Sequence, residues 1–212
     1  TIEFYLSNQG SHLFPQVEAV EPQITAYLQK LFLPENVFIT GNYKRQLEII
    51  DELEYVVSSS NELIKPKFQS ANPPELLEEN TESLLYKLHN GLKLRLYTGE
   101  NAVEKRLFLT TGSPEFNEAF LNQFPKLEFT DDKITDDSAV FKRVNINYIP
   151  ACSRETAAVI ELAKKSQLPE LIQPGDIKGI IHSHSNWSDG SNTLEEMANA
   201  AKEQGFEYLV IS

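Results

Sequence analysis

The run SLLYKLHNGLKLRLYT, residues 83–98, constrains the fold more than any other stretch. Two strand-like pieces are joined by Asn90-Gly91, the dipeptide that best tolerates the positive φ angles of a two-residue hairpin turn. An antiparallel strand pair is therefore expected near the middle of the chain. A third strand-like piece, ELLEEN from Glu75, precedes it and is set off by the breaker ANPP. Upstream, Val17, Val20, Ile24, Leu28 and Leu31 recur at three- and four-residue steps, which predicts an amphipathic helix. Between helix and hairpin, a short strand, a turn at Gly41-Asn42 and a further strand over Ile50–Val57 are expected, then a weak helix in NELIKPKFQ.

From Asn101 the pattern becomes helical. NAVEKRLFLTTG and SPEFNEAFLNQF read as two helices, with Pro114 placed near the start of the second. LEFTDDKITDDS suggests a small strand and an exposed turn, RETAAVIELAKKS a further helix, and QLPELIQPGD a Pro-punctuated linker. The last segment reads as strand (IKGIIHSH), loop (SNWSDGS), helix (TLEEMANAAKEQG) and strand (FEYLVIS), one βαβ unit. Neither an internal repeat nor a low-complexity tract is visible.

Composition narrows the function classes. No apolar run approaches the ~18 residues of a membrane span. The single cysteine, Cys152, precludes an internal disulfide framework and fits a reducing cytoplasm. The formal net charge is −12, divided as −5 over residues 1–98, −3 over 99–150 and −4 over 151–212. Acidity spread in this way argues against a general DNA-binding module, since a polyanion is not attracted at long range. A start without Met or a leader pattern is read as that of an excised fragment.

The string KGIIHSHSNWSDG carries the clearest chemistry. His182 and His184 stand at i and i+2, so in a strand both imidazoles face one side, and Asp189 follows in a loop able to fold back. Two imidazoles and a carboxylate suit Zn or Mn, which activate water for phosphate-ester hydrolysis. His-x-His alone is weak, and two polar residues at a surface edge account for it equally well. The whole string, with the following helix and YLVIS, closely resembles the start of a PHP (polymerase and histidinol phosphatase) domain, although Ser185 stands where that family usually has Thr. The resemblance implies that His182, His184 and Asp189 are metal ligands. It also implies that the site is incomplete in this chain, because later strands supply the remaining ligands.

The preceding residues resemble a bacterial family X DNA polymerase, whose palm and thumb precede a PHP exonuclease domain. GNYKRQLEIIDELEYVV is similar to the palm signature Gly-Ser-x-Arg-Arg-x(2)-Glu-x(3)-Asp-x-Asp. NGLKLRLYT is similar to the strand carrying the third carboxylate, TTGSPEFN to the Thr-Gly-Ser thumb motif, and YIPACSRE to the segment leaving the thumb. The implied architecture is α+β: a nucleotidyltransferase-type palm with a mixed sheet over 1–98, a small α+β thumb over 99–150, a helical linker over 151–175, and the truncated first βαβ unit of a PHP (β/α)7-type barrel over 176–212.

Departures from the pattern fall on the chemistry. Nucleotide transfer needs two Mg²⁺ held by three carboxylates. The matching positions are Glu52, Glu54 and Arg95, two longer acids and one reversed charge. Arg95 is expected to pair with Glu52 or Glu54 in place of the metals. Standing alone, an acidic i, i+2 pair is better explained as a solvated strand face. The phosphate-contacting Gly-Ser becomes Gly41-Asn42 and the two arginines become Lys44 and Arg45. ENTES replaces a basic Gly-x-Thr-Lys-Ser stretch, and Leu109-Thr110 stands at an aromatic pair. Gly112, Ser113 and Asn117 are retained at nucleotide-facing positions. The resemblance thus implies a DNA repair-type protein with a degenerate polymerase centre and a metal-dependent phosphoesterase or 3′–5′ exonuclease beyond it. Alternatives are a non-catalytic scaffold for DNA ends or a protein partner, and a slow nucleotidyltransferase using the Glu pair. The chain itself is expected to be inactive, to bind no metal tightly, and to bind DNA weakly or not at all. Its βαβ piece is open to packing on the thumb, to swapping with another chain or to poor order, and exposed strands such as YLVI make a dimer one of the outcomes.

Overall fold

The computed structural model describes residues 10–69, 72–99, 102–130 and 134–212. The chain divides into two compact units, Thr1–Leu168 and Pro169–Ser212. Among the described residues no helix is long and apolar enough to cross a membrane.

The first unit opens with a two-residue strand, β1 (His12–Leu13), and helices α1 (Phe14–Glu18) and α2 (Glu21–Phe32). One continuous helix was expected across this stretch. The helix is interrupted at Ala19-Val20, and Pro22, which has no N–H to give a preceding turn, sits in the first turn of α2 where that donor is not needed. Strand β2 (Val37–Thr40), the single turn α3 (Gly41–Lys44), and strands β3 (Ile49–Ile50) and β4 (Glu52–Val57) follow. After a second single turn, α4 (Asn61–Ile64), come β5 (Glu75–Glu79), β6 (Ser83–Lys87) and β7 (Lys93–Thr98).

The main sheet has the order β2-β4-β7-β6-β5 and is mixed: β4 and β7 run parallel, and the other neighbours antiparallel. The expected hairpin joins β6 to β7, with Gly91 at φ 88° and Leu88 and Leu92 closing the turn. Alternation along the strands separates two faces. Leu53, Tyr55, Leu84, Tyr86, Leu94 and Leu96 point into a core shared with Val17 and Leu28 of the helices. Glu52, Glu54, Arg95 and Tyr97 lie on the opposite face, and the strand register sets Glu54 directly beside Arg95.

Helices α5 (Val103–Thr111), α6 (Pro114–Gln123), α7 (Ser138–Arg143) and α8 (Ala158–Lys164) build a second core around Phe108, Phe116, Phe120 and Phe141. The small strand expected after Leu127 is not found among the described residues. Residues 131–133 of the expected acidic turn lie outside them. Helix α7 had no sequence expectation. Helix α8, read as part of a linker, contributes Val159, Ile160 and Ala163 to this core. It begins later than expected because the residues around Arg154 form a 3-10 turn that carries the Arg154 side chain inward. There the guanidinium pairs with Asp137, both side chains being fully buried, and lies 4.7 Å from the Phe141 ring centroid.

The second unit is the expected βαβ arrangement: β8 (Gly179–Ser183), α9 (Leu194–Glu203) and β9 (Tyr208–Ile211), with β8 and β9 parallel. Thr193 and Glu196 form a capping box at the start of α9.

Candidate functional site

Two consequences of strand geometry assemble the polar face of the sheet. Residues two apart share a face, which brings Glu52 with Glu54 and Arg95 with Tyr97. Parallel pairing then sets the two pairs side by side. Arg95 grips Glu52 with two bonds, Nε to Oε2 at 2.5 Å and Nη2 to Oε1 at 3.1 Å. Its remaining nitrogen donates to Ser83 Oγ at 3.1 Å and lies 3.5 Å from Glu78. This pairing with Glu52 holds the guanidinium in its charged form, so its pKa moves further up.

Glu54 takes different partners. Its Oε2 accepts the Asn42 backbone N–H at 3.0 Å and its Oε1 accepts the Tyr97 hydroxyl at 2.9 Å. Burial raises the Glu54 pKa despite these two donors. The Asn42 amide reaches Glu54 because Gly41 has φ +71°, and a Cβ built there falls 1.7 Å from Glu54 Oε2. Glycine is required at position 41 on both counts.

The turn after β2 also carries two cations. Arg45 donates from Nη2 to Asn42 Oδ1 at 2.7 Å, and its Nε lies 2.8 Å from Glu155 Oε1. Burial lowers the Lys44 pKa, with nearby Asp137 acting in the opposite sense. Ser113 caps α6 by accepting the Phe116 N–H, and its hydroxyl donates to the Glu155 carbonyl at 2.7 Å. Asn117 donates to the carbonyls of Leu109 and Gly112, while its Oδ1 is buried without a hydrogen-bond partner. Thr40 at the end of β2 shares hydrogen bonds with Thr110 and Thr111, at 2.7 and 2.9 Å.

The structure therefore gathers Gly41, Asn42, Arg45, Glu52, Glu54 and Arg95 in two adjacent sets, Arg95 with Glu52 and Glu54 with Asn42 and, through it, Arg45. It links them to Gly112, Ser113 and Asn117 through Glu155. Sequence reasoning missed Ser83, Tyr97 and Glu155. Tyr97 had a usable signal, since it stands two residues from Arg95 on one strand. Glu155 had none, because its neighbour Arg45 is remote in sequence.

Fitness for metal can be judged from the donors. All four carboxylate oxygens of Glu52 and Glu54 already accept hydrogen bonds, and a guanidinium stands among them. These residues do not fit a pair of divalent ions. Among the described residues no group of three His, Cys, Asp or Glu is disposed to hold a metal ion.

In the second unit, His182 lies at the end of β8 with φ +62°, and its ring stacks on that of His184 at 5.1 Å. His184 Nδ1 pairs with Asp189 Oδ1, and this contact lowers the Asp189 pKa. Gly190 permits the loop to fold back, since a Cβ there meets the His184 carbonyl oxygen at 2.0 Å. The three sequence-singled residues thus form a chain of contacts, the His182 ring on that of His184 and His184 on the Asp189 carboxylate.

No protein-family model matches the chain. Among curated proteins it is 25% identical to the DNA polymerase/3′-5′ exonuclease PolX of Bacillus subtilis (strain 168), aligned over 192 positions that take in 81% of this chain and 33% of that protein. The chain is thus distantly related to a family X polymerase and spans about a third of the length of the curated relative it matches.

Proposed function

We infer that residues up to 168 are the palm and thumb of a family X polymerase-like protein in which an internal ion pair has replaced the two-metal centre. Residues 176–212 are the opening unit of a PHP phosphoesterase domain. The observation that carries the first part is the two-bond grip of Arg95 on Glu52 beside a Glu54 already supplied with two donors. Transfer of a nucleotidyl group needs metal positions that stabilise the attacking and leaving oxygens. A guanidinium supplies charge but no open coordination position. The palm is therefore structural, and the carboxylates of Glu52 and Glu54 are already paired within the protein.

The second part is supported by the His182, His184 and Asp189 neighbourhood after β8. The three do not complete a metal site, so hydrolysis by this chain alone is not expected. The 3′–5′ exonuclease activity in the Bacillus relative's name is proposed for the whole protein, with Zn or Mn as its metal and DNA as its substrate.

A scaffold role is the second reading, and the net charge of −12 favours a protein partner over DNA for it. Exposed Tyr208, Val210 and Ile211 on β9 add self-association as an expectation, measured by light scattering.

The test is incubation of the chain with a labelled primer on gapped DNA, four nucleotides and Mn²⁺. Neither extension nor shortening is expected, and extension that is lost in Glu52→Gln overturns the replacement, because the Glu pair then still organises catalytic metal. A companion variant, Arg95→Asp, is expected to gain Mn²⁺ binding that the parent chain lacks, read by isothermal calorimetry.

A further inference from the structure

We propose that Glu155 is a built-in competitor for Arg45, so that a polyphosphate reaches this arginine only by displacing the Glu155 carboxylate. The inference rests on the reading of Gly41–Arg45 as a former phosphate-contacting turn. Its first support is an imperfect contact. Arg45 Nε and Glu155 Oε1 are 2.8 Å apart, yet both atoms are buried without a properly aimed hydrogen bond. The charges touch while the N–H points elsewhere. A guanidinium edge offers parallel donors in a fixed plane, and adjacent oxygens of a polyphosphate match that plane better than this carboxylate does.

Mobility is unequally divided between the two partners. Arg45 is 10% exposed and its fork is fixed by the bond to Asn42 Oδ1, whereas the Glu155 side chain is 42% exposed. Among the described residues that carboxylate has no second partner. Its backbone stays in place through the carbonyl bond from Ser113, so the side chain can swing outward without moving the chain. Displacement also removes a side-chain link between the sheet and the helices of the second core, leaving among others the Thr40 bonds to Thr110 and Thr111 and the Arg106–Glu82 ion pair. Occupancy by an anion is thereby coupled to how firmly these two parts are held together.

The experiment is calorimetric titration of the full chain with inorganic tripolyphosphate, without added metal, at low salt. Because the chain carries a net charge of −12, general attraction of an anion is absent and binding reports a local site. Glu155→Gln is expected to bind about tenfold more tightly than the parent chain, the order set by removing a half-exposed competing charge together with its repulsion of the ligand. Arg45→Gln added to Glu155→Gln is expected to abolish the gain, with unchanged circular dichroism as the folding control. Equal, Arg45-dependent binding by the parent and Glu155→Gln overturns the competitor while leaving the phosphate-contacting reading intact. A gain that survives Arg45→Gln overturns the proposal as a general charge effect. Binding by none of the variants overturns the phosphate-contacting reading itself.

Discussion

Replacing Arg95 by Met removes the guanidinium but keeps an unbranched side chain of similar reach. It leaves Glu52 without its two donors beside an already desolvated Glu54. The pair is 15% and 23% exposed, between a surface ion pair and a buried one. Exposed pairs contribute ~0.2–1 kcal/mol, and breaking a buried pair costs ~3–5 kcal/mol. An intermediate cost of about 2 kcal/mol is expected, which for a unit of this size lowers the melting temperature by about 4–8 °C. Glu52→Gln should cost about 1 kcal/mol, because Arg95 keeps Ser83 and Glu78. The double variant should then be less destabilised than the sum, with a coupling of about 1 kcal/mol. The assay is urea unfolding followed by far-ultraviolet circular dichroism. Tryptophan emission is unsuitable, since the single tryptophan, Trp187, belongs to the other unit. An Arg95→Met cost below about 0.5 kcal/mol, or no coupling to Glu52, refutes the reasoning, because the grip is then an ordinary surface contact.

Gly41→Ala meets both a positive φ and the Glu54 carboxylate, so a loss of at least about 2 kcal/mol is expected, checked by urea unfolding. Arg154→Met abandons a fully buried Asp137 and should cost about 3–5 kcal/mol, while Arg154→Met combined with Asp137→Leu should recover much of it. The raised Glu54 pKa means that the folded state binds its proton more readily than the unfolded state does. Stability from this group therefore falls as pH rises from 4.5 through the folded-state value, and is regained on acidification. A ¹³C-carboxyl titration placing the Glu54 midpoint at or below the ordinary carboxylate range removes that expectation.

Period-two alternation, the Asn90-Gly91 turn and the βαβ pattern were legible from local sequence, because each depends on residues close along the chain. The facing of Glu52 with Glu54 and the closeness of His184 to Asp189 were legible for the same reason. Pairings across strands and helices were not. Which acid Arg95 would take was open until the parallel register put Arg95 next to Glu54 in the strands while its longer reach delivered it to Glu52. The burial of Arg154 with Asp137, the membership of α8 in the second core, and the approach of Glu155 to Arg45 are set by packing of distant segments. Chain-local propensities carry no record of such contacts. The sequence by itself determined the elements and the placing of Glu52, Glu54 and Arg95 on strands. Only the tertiary structure decided that Arg95 grips Glu52 while Glu54 takes Asn42 and Tyr97, because hydrogen-bond partners are chosen in space and not along the chain.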